Sequence, residues 1–250
     1  MKVYTVTFGD VAENHVRMQK IGKLAEHGYS CSQIMSLREK IGLECNIIDL
    51  ASRWSGEGEA PEACVMVIKR GVQHILGTEN TSELMAEHDS LAMDKQAFMR
   101  GRVVNKHARW NLCFADEDQE PSYADGKGRI VSYRHIPRTQ KIRETISEWM
   151  EDEMLNGEAN YYYDISKCGI GYHGDAERRK VFAVRMGKSM PIYFQWFQKS
   201  KPIGERIQID LDDGDMYIMS EKAVGTDWMK KIVPTLRHAT GCDKFTVIKA

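Results

Sequence analysis

The chain contains no apolar run long enough to cross a bilayer, no C-x-x-C pair, no P-loop and no G-x-G-x-x-G. The first absence argues against a membrane-spanning helix. Cys31, Cys45, Cys64, Cys113, Cys168 and Cys242 are scattered, so neither a zinc site nor a disulfide framework is expected. The missing glycine-rich loops remove the usual cradles for nucleotide phosphates. Met1–Val6 is too short and too polar to read as a signal peptide. These features predict a soluble protein of a reducing, intracellular compartment, cytoplasmic or nuclear, with no membrane partner. A large charge excess is missing too. The formal net charge is −1 over 250 residues, so the molecule as a whole is not a basic nucleic-acid binder.

What is present is uneven along the chain. Lys127, Arg129, Arg134, Arg138, Lys141 and Arg143 form a basic strip directly after the acidic stretch Asp116–Glu120. Such a strip reads either as a phosphate contact or as a solvated face. Residues 1–95 read as a small α/β N-terminal region with strands that could run parallel. Strands are predicted at Lys2–Phe8, Cys45–Leu50 and Ala63–Lys69, and helices at Ala12–Ala25, Ser30–Ile41 and Gly71–Leu76. Thr78–Phe98 reads as a helical connector. From residue 96 to 250 the texture is one of short strands separated by Gly, Asp and Pro, with one amphipathic helix carrying Ile142, Ile146, Trp149 and Met150. The predicted class is α+β, a double-stranded β-helix (jelly-roll) core with flanking helices behind the small N-terminal region.

One constellation carries chemistry. His173 and Asp175 are two apart, and His238 follows much later. On a strand, residues i and i+2 share a face, so the pair can converge on one ion while a distant strand returns the second histidine. Two imidazoles and a carboxylate are the facial set that holds a ferrous ion and leaves the opposite positions open. His15, His27, His74, His88 and His135 show no converging pattern and read as structural.

Around this set the chain resembles the AlkB family of Fe(II)- and 2-oxoglutarate-dependent dioxygenases. The resemblance rests on Asn160-Tyr161-Tyr162-Tyr163, then His173-Gly174-Asp175, the Gly214-Asp215 turn, and the segment from Trp228 to His238. It covers roughly residues 100–250 and is densest near the metal ligands. It implies Fe(II) on His173, Asp175 and His238, and 2-oxoglutarate on Asn160 with Tyr162 or Tyr163. Strand alternation favours Tyr162, which shares a side with Asn160. Lys244 would stand where the family has an arginine for the distal carboxylate, a point charge in place of a bidentate fork. The family's second arginine has no clear counterpart, although Lys249 is near. His107, Arg109, Trp110 and Tyr123 fall in the segment that resembles the substrate lid, where an aromatic could stack on a flipped base. The implied activity is hydroxylation or demethylation of a modified nucleobase in DNA or RNA. The same chemistry on a protein side chain or small molecule, and a catalytically silent binding module, are the competing expectations.

Overall fold

The structure, a computed structural model, describes residues 1–248, which leaves Lys249 outside the described residues. The strands are β1 (Val3–Gly9), β2 (Val11–Glu13), β3 (Lys20–Gly22), β4 (Cys45–Asp49), β5 (Cys64–Ile68), β6 (Gln96–Met99), β7 (Arg102–Asn105), β8 (Trp110–Ala115), β9 (Ile130–Ser132), β10 (Asn156–Tyr162), β11 (Gly169–His173), β12 (Val181–Gly187), β13 (Ile192–Gln198), β14 (Lys201–Ile209), β15 (Met216–Met219) and β16 (Thr235–Gly241). The helices are α1 (Cys31–Ile41), α2 (Gly71–Leu76), α3 (Ser82–Asp89), α4 (Pro137–Met150), α5 (Glu221–Val224) and α6 (Asp243–Thr246). The fold is α+β and rich in sheet.

Eight strands form one sheet in the order β4-β5-β15-β12-β1-β10-β8-β9, and four form a second in the order β11-β16-β13-β14. Every pairing is antiparallel except β8 with β9. The first region therefore has no parallel pairing among its own strands. The boundary near residue 95 does not divide the large sheet either, because β1, β4 and β5 are members of it.

Alternation sorts the side chains into three layers. On β1, Tyr4, Val6 and Phe8 join Ile34 and Leu37 of α1 and Ile142 and Ile146 of α4 in one core. On β12, Val181 and Ala183 face the other way. They pack with Ile192, Phe194 and Trp196 of β13 and Leu236 of β16 in a second core between the sheets. β1 and β12 are thus buried on both sides, which explains their dense apolar patterning.

The helix α1 is capped at Ser30. The Ser30 hydroxyl accepts from the Gln33 N–H, and the Gln33 side chain returns the contact to the Ser30 N–H. The helix expected over Ala12–Ala25 is instead the β2–β3 hairpin. Its apolar residues are spaced like a helix face, but Leu24 is exposed while Val11 and Ala12 are buried. The connector over Thr78–Phe98 contains α3 and then β6. The final strand expected from Lys244 is the short helix α6.

Cys31, at the start of α1, and Cys64, at the start of β5, form a disulfide with Cα atoms 5.8 Å apart. This corrects the expectation of unpaired cysteines: sequence spacing says nothing about two elements that meet only in the fold. No helix among the described residues is long and apolar enough to cross a membrane.

Two consequences can be measured. Reduction of Cys31–Cys64, or Cys64→Ala, should cost about 3–4 kcal/mol by the chain-entropy account of a loop this long. Urea unfolding with and without reductant reads that difference. Separately, His88 is enclosed by Tyr4 and Phe114 with Nε2 3.0 Å from the Thr139 hydroxyl. Burial pulls its pKa down to about 4 from 6.5. The unfolded chain binds a proton there that the folded chain resists. Stability should be full at neutral pH and fall as pH drops from about 6.5 toward 4, by on the order of 3 kcal/mol when fully developed. His88→Gln should flatten that part of the stability–pH curve.

Candidate metal centre

Strand pairing builds the centre. β11 runs antiparallel to β16 with His173 directly opposite His238, and an irregularity in register precedes His173. The two rings lie 4.5 Å apart between centroids. Asp175 stands just past the end of β11, where its N–H donates to the Val224 carbonyl at the end of α5. Its Oδ1 is 3.4 Å from His173 Nε2 and 3.6 Å from His238 Nε2. One ligand atom from each residue falls within 4.8 Å of the others. The structure therefore brings His173, Asp175 and His238 together.

Gly174 permits this approach. A Cβ there would stand 2.1 Å from the Gly225 carbonyl oxygen and 2.8 Å from Trp228 Cβ. Only a residue without a side chain lets the ligand turn lie against the start of the Gly225–Trp228 segment.

Protonation suits metal binding. His173 Nδ1 lies 2.8 Å from the Gly171 carbonyl and 3.1 Å from its neighbour at His238. A proton on Nδ1 satisfies those carbonyls and leaves Nε2 with its lone pair turned to Asp175. Burial, then the neighbouring His173, hold the His238 pKa below its usual value. Burial works against charge on Asp175, but Arg178 and then both imidazoles bring its pKa well below the ordinary carboxylate value. The His238 imidazole held below its usual pKa, the His173 Nε2 turned to the same carboxylate, and that ionised carboxylate make a donor set that fits a ferrous ion.

Arg178 is itself buried and fully engaged, pairing with Glu158 at 2.5 Å and Glu177 at 3.0 Å, with Asp175 at 3.6 Å. This network reaches β10, where Asn160 Nδ2 donates to Glu158 while its Oδ1 accepts from Arg109 and Asn111. Across from it, burial and then Glu177 push the Glu13 carboxyl up to about 7.

These groups line one cavity of about 440 Å³ between the sheets. Asn160, Tyr162 and Arg109 face it with His173, Asp175 and His238. Tyr163 does not. It stacks on Trp110 at 4.7 Å and donates to the His107 carbonyl. Trp110 is held between that ring and Lys95, and Tyr123 donates to Asp94 in a separate polar cluster. His107, Trp110 and Tyr123 are therefore not part of the cavity wall. Lys244 is exposed on α6, its Nζ over the Phe245 ring, and does not reach the cavity. The sequence placed it on a strand that is not formed. Thr5, Thr7, Glu13, Glu158, Arg178 and Tyr217 were missed. The first three come from elements far upstream of the ligand motif, and nothing local marks them.

The basic strip is largely neutralised. Arg129 pairs with Glu120, Arg134 with Asp118, Arg138 with Glu83 and Arg143 with Asp116.

No family model matches the chain. Over 248 residues it is 47% identical to "Uncharacterized protein R156" of Acanthamoeba polyphaga mimivirus, covering 96% of each chain. The chain belongs to the family of that viral protein. The similarity spans both sheets and all three ligand positions, so it concerns the whole fold rather than a shared motif.

Gly174→Ala should weaken Mn(II) binding by about tenfold or more, because the added methyl group must push the ligand turn off the Gly225 carbonyl. Electron paramagnetic resonance of free Mn(II) during titration reads the change.

Proposed function

We propose that the chain is an Fe(II)- and 2-oxoglutarate-dependent dioxygenase of AlkB type. The convergence of His173, Asp175 and His238 at the wall of a cavity lined by both polar and apolar groups carries this reading. The two facing antiparallel sheets support a double-stranded β-helix core, with β1 contributing the strand between β10 and β12. An iron ion bound there would supply coupling of 2-oxoglutarate decarboxylation, with dioxygen, to hydroxylation of a substrate C–H bond. Succinate and carbon dioxide account for the co-substrate.

The chain's own residues would do the rest. His173 keeps Nε2 free by giving its Nδ1 proton to backbone carbonyls. Arg178 keeps Asp175 ionised and turned toward the imidazoles. Asn160, fixed by Arg109 and Asn111, presents its amide to the co-substrate beside the Tyr162 hydroxyl. The pKa of Tyr162 is raised by burial, so the phenol remains a neutral donor. The enclosing sheets exclude water from the oxidising step.

The AlkB resemblance points to a modified nucleobase as substrate. A second reading, a small molecule or a protein side chain, is favoured by the pairing of Arg129, Arg134, Arg138 and Arg143 with carboxylates, which leaves little free positive charge on that strip. Oligonucleotide binding measured against salt separates the two, since phosphate contacts give a steep dependence.

With Fe(II), 2-oxoglutarate and oxygen, the protein should release succinate even without prime substrate. His173→Ala should abolish both succinate release and Mn(II) uptake while leaving the circular dichroism spectrum unchanged. A wild-type protein that neither takes up metal nor forms succinate would falsify the proposal.

A further inference from the structure

The cavity that holds His173, Asp175 and His238 is acidic within but not at its lip. Of the residues that line it, Val16, Arg17, Ala176 and Met229 are exposed, and they mark its mouth. None of them is acidic. The carboxylates of the wall, Glu13, Glu158, Asp175 and Glu177, lie deeper, and Arg178 engages all but Glu13.

Two segments build this lip, and each is fixed at its base. In the turn between β2 and β3, Met18 is buried and its N–H donates to the His15 carbonyl, while the Arg17 N–H donates to Glu13. Val16 and Arg17 are left outside, Val16 with 64% exposure. In the segment between α5 and β16, the Trp228 N–H donates to the Gly225 carbonyl and Arg237 lies over the indole ring. Beyond that anchor Met229, Lys230, Lys231 and Ile232 all project, Met229 with 66% and Ile232 with 93% exposure. Single exposed aliphatic residues scattered over a surface mean little, but large ones gathered at one cavity mouth mark an interaction face.

The cations among them are free. Lys20 stands directly opposite Glu13 in the hairpin, so its side chain is on the cavity side. Among the described residues, Arg17, Lys20, Lys230 and Lys231 are exposed and pair with no carboxylate, whereas nearby Arg179 and Lys222 pair with Glu221 and Asp227. The arginines of the strip from Arg129 to Arg143 are likewise paired.

We propose that this mouth docks on a lipid bilayer surface carrying anionic headgroups. Val16, Met229 and Ile232 enter the interfacial layer, and Arg17, Lys20, Lys230 and Lys231 meet the headgroups. Attraction of clustered cations to the negative surface potential and burial of the aliphatic side chains act together there. A nucleic-acid strand would call for exposed aromatic rings on which bases stack, and no aromatic is among the large exposed apolar side chains of the described residues. The lack of an apolar span bears on crossing a bilayer, not on resting against one. The inference stands on this surface alone and does not depend on iron or 2-oxoglutarate.

The test sediments full-length protein with vesicles of phosphatidylcholine alone and of phosphatidylcholine with about 30% phosphatidylserine. Wild type should bind the anionic vesicles at least about tenfold more tightly than the neutral ones, and less tightly as salt rises. Lys230→Ala combined with Lys231→Ala should weaken that binding by about tenfold. Ile232→Ser should weaken it several-fold while leaving its salt dependence unchanged, which isolates the apolar share. These positions are exposed and lie outside the metal cavity wall, so Mn(II) affinity and thermal midpoint should match wild type. Failure of wild type to sediment with the anionic vesicles overturns the inference, and so does equal binding by the folded variants. Salt-sensitive binding of a single-stranded oligonucleotide that the same variants lose, without vesicle binding, assigns the mouth to nucleic acid and overturns it. A dimer that Ile232→Ser abolishes, without vesicle binding, assigns the mouth to a second copy of the chain and overturns it too.

Discussion

The antiparallel contact between β11 and β16 is the constraint on which the site depends. It sets one histidine opposite another at the edge of the small sheet, close enough for both imidazoles to turn toward a single carboxylate. Everything else at the centre adjusts to that contact. The strand stops after His173, a glycine allows the chain to fold tightly onto the Gly225 backbone, and Asp175 is delivered by a hydrogen bond to α5. The ion pairs behind Asp175 then keep it charged although it is enclosed.

Charge is distributed through the interior by two opposite arrangements. Around Arg178 the protein supplies its own counter-ions, so that cation is a structural brace for the metal wall. Around Arg185 stand the Tyr162 and Tyr217 phenols and the Asp215 carboxylate, none of them hydrogen-bonded to its guanidinium. The pair of arginines, seven positions apart on adjoining stretches of chain, therefore sit in different surroundings.

Local features were legible in sequence, and relations between distant elements were not. The helix α1 was legible over Ser30–Ile41, and α4 by one apolar face. The His173–Asp175–His238 cluster could be read because two of its members adjoin and a third histidine follows in a strand-rich context. The hairpin β2–β3 was misread because its apolar spacing mimics a helix, and tertiary pairing overrode it. Alternation put Tyr162 rather than Tyr163 on the side of Asn160, and Asn160 and Tyr162 both line the cavity. The disulfide depends on α1 meeting β5, and Arg185 on β12 being covered by the second sheet. Neither relation leaves a trace in residue spacing. An arginine in an apolar strand reads as a solvent-facing position until the covering layer is known.

The location of β1 has a further consequence for how the chain reaches its native state. Residues 3–9 are hydrogen-bonded to residues 156–162 on one side and to residues 182–187 on the other. Strand β1 thus precedes both of its neighbours in the chain by a long stretch, and neither exists until residues 156–187 have been made. Its long apolar edge must remain unpaired through that interval, a situation that slows folding and invites association with other chains. Assembly of the large sheet is therefore a long-range closure around a strand made well before its neighbours.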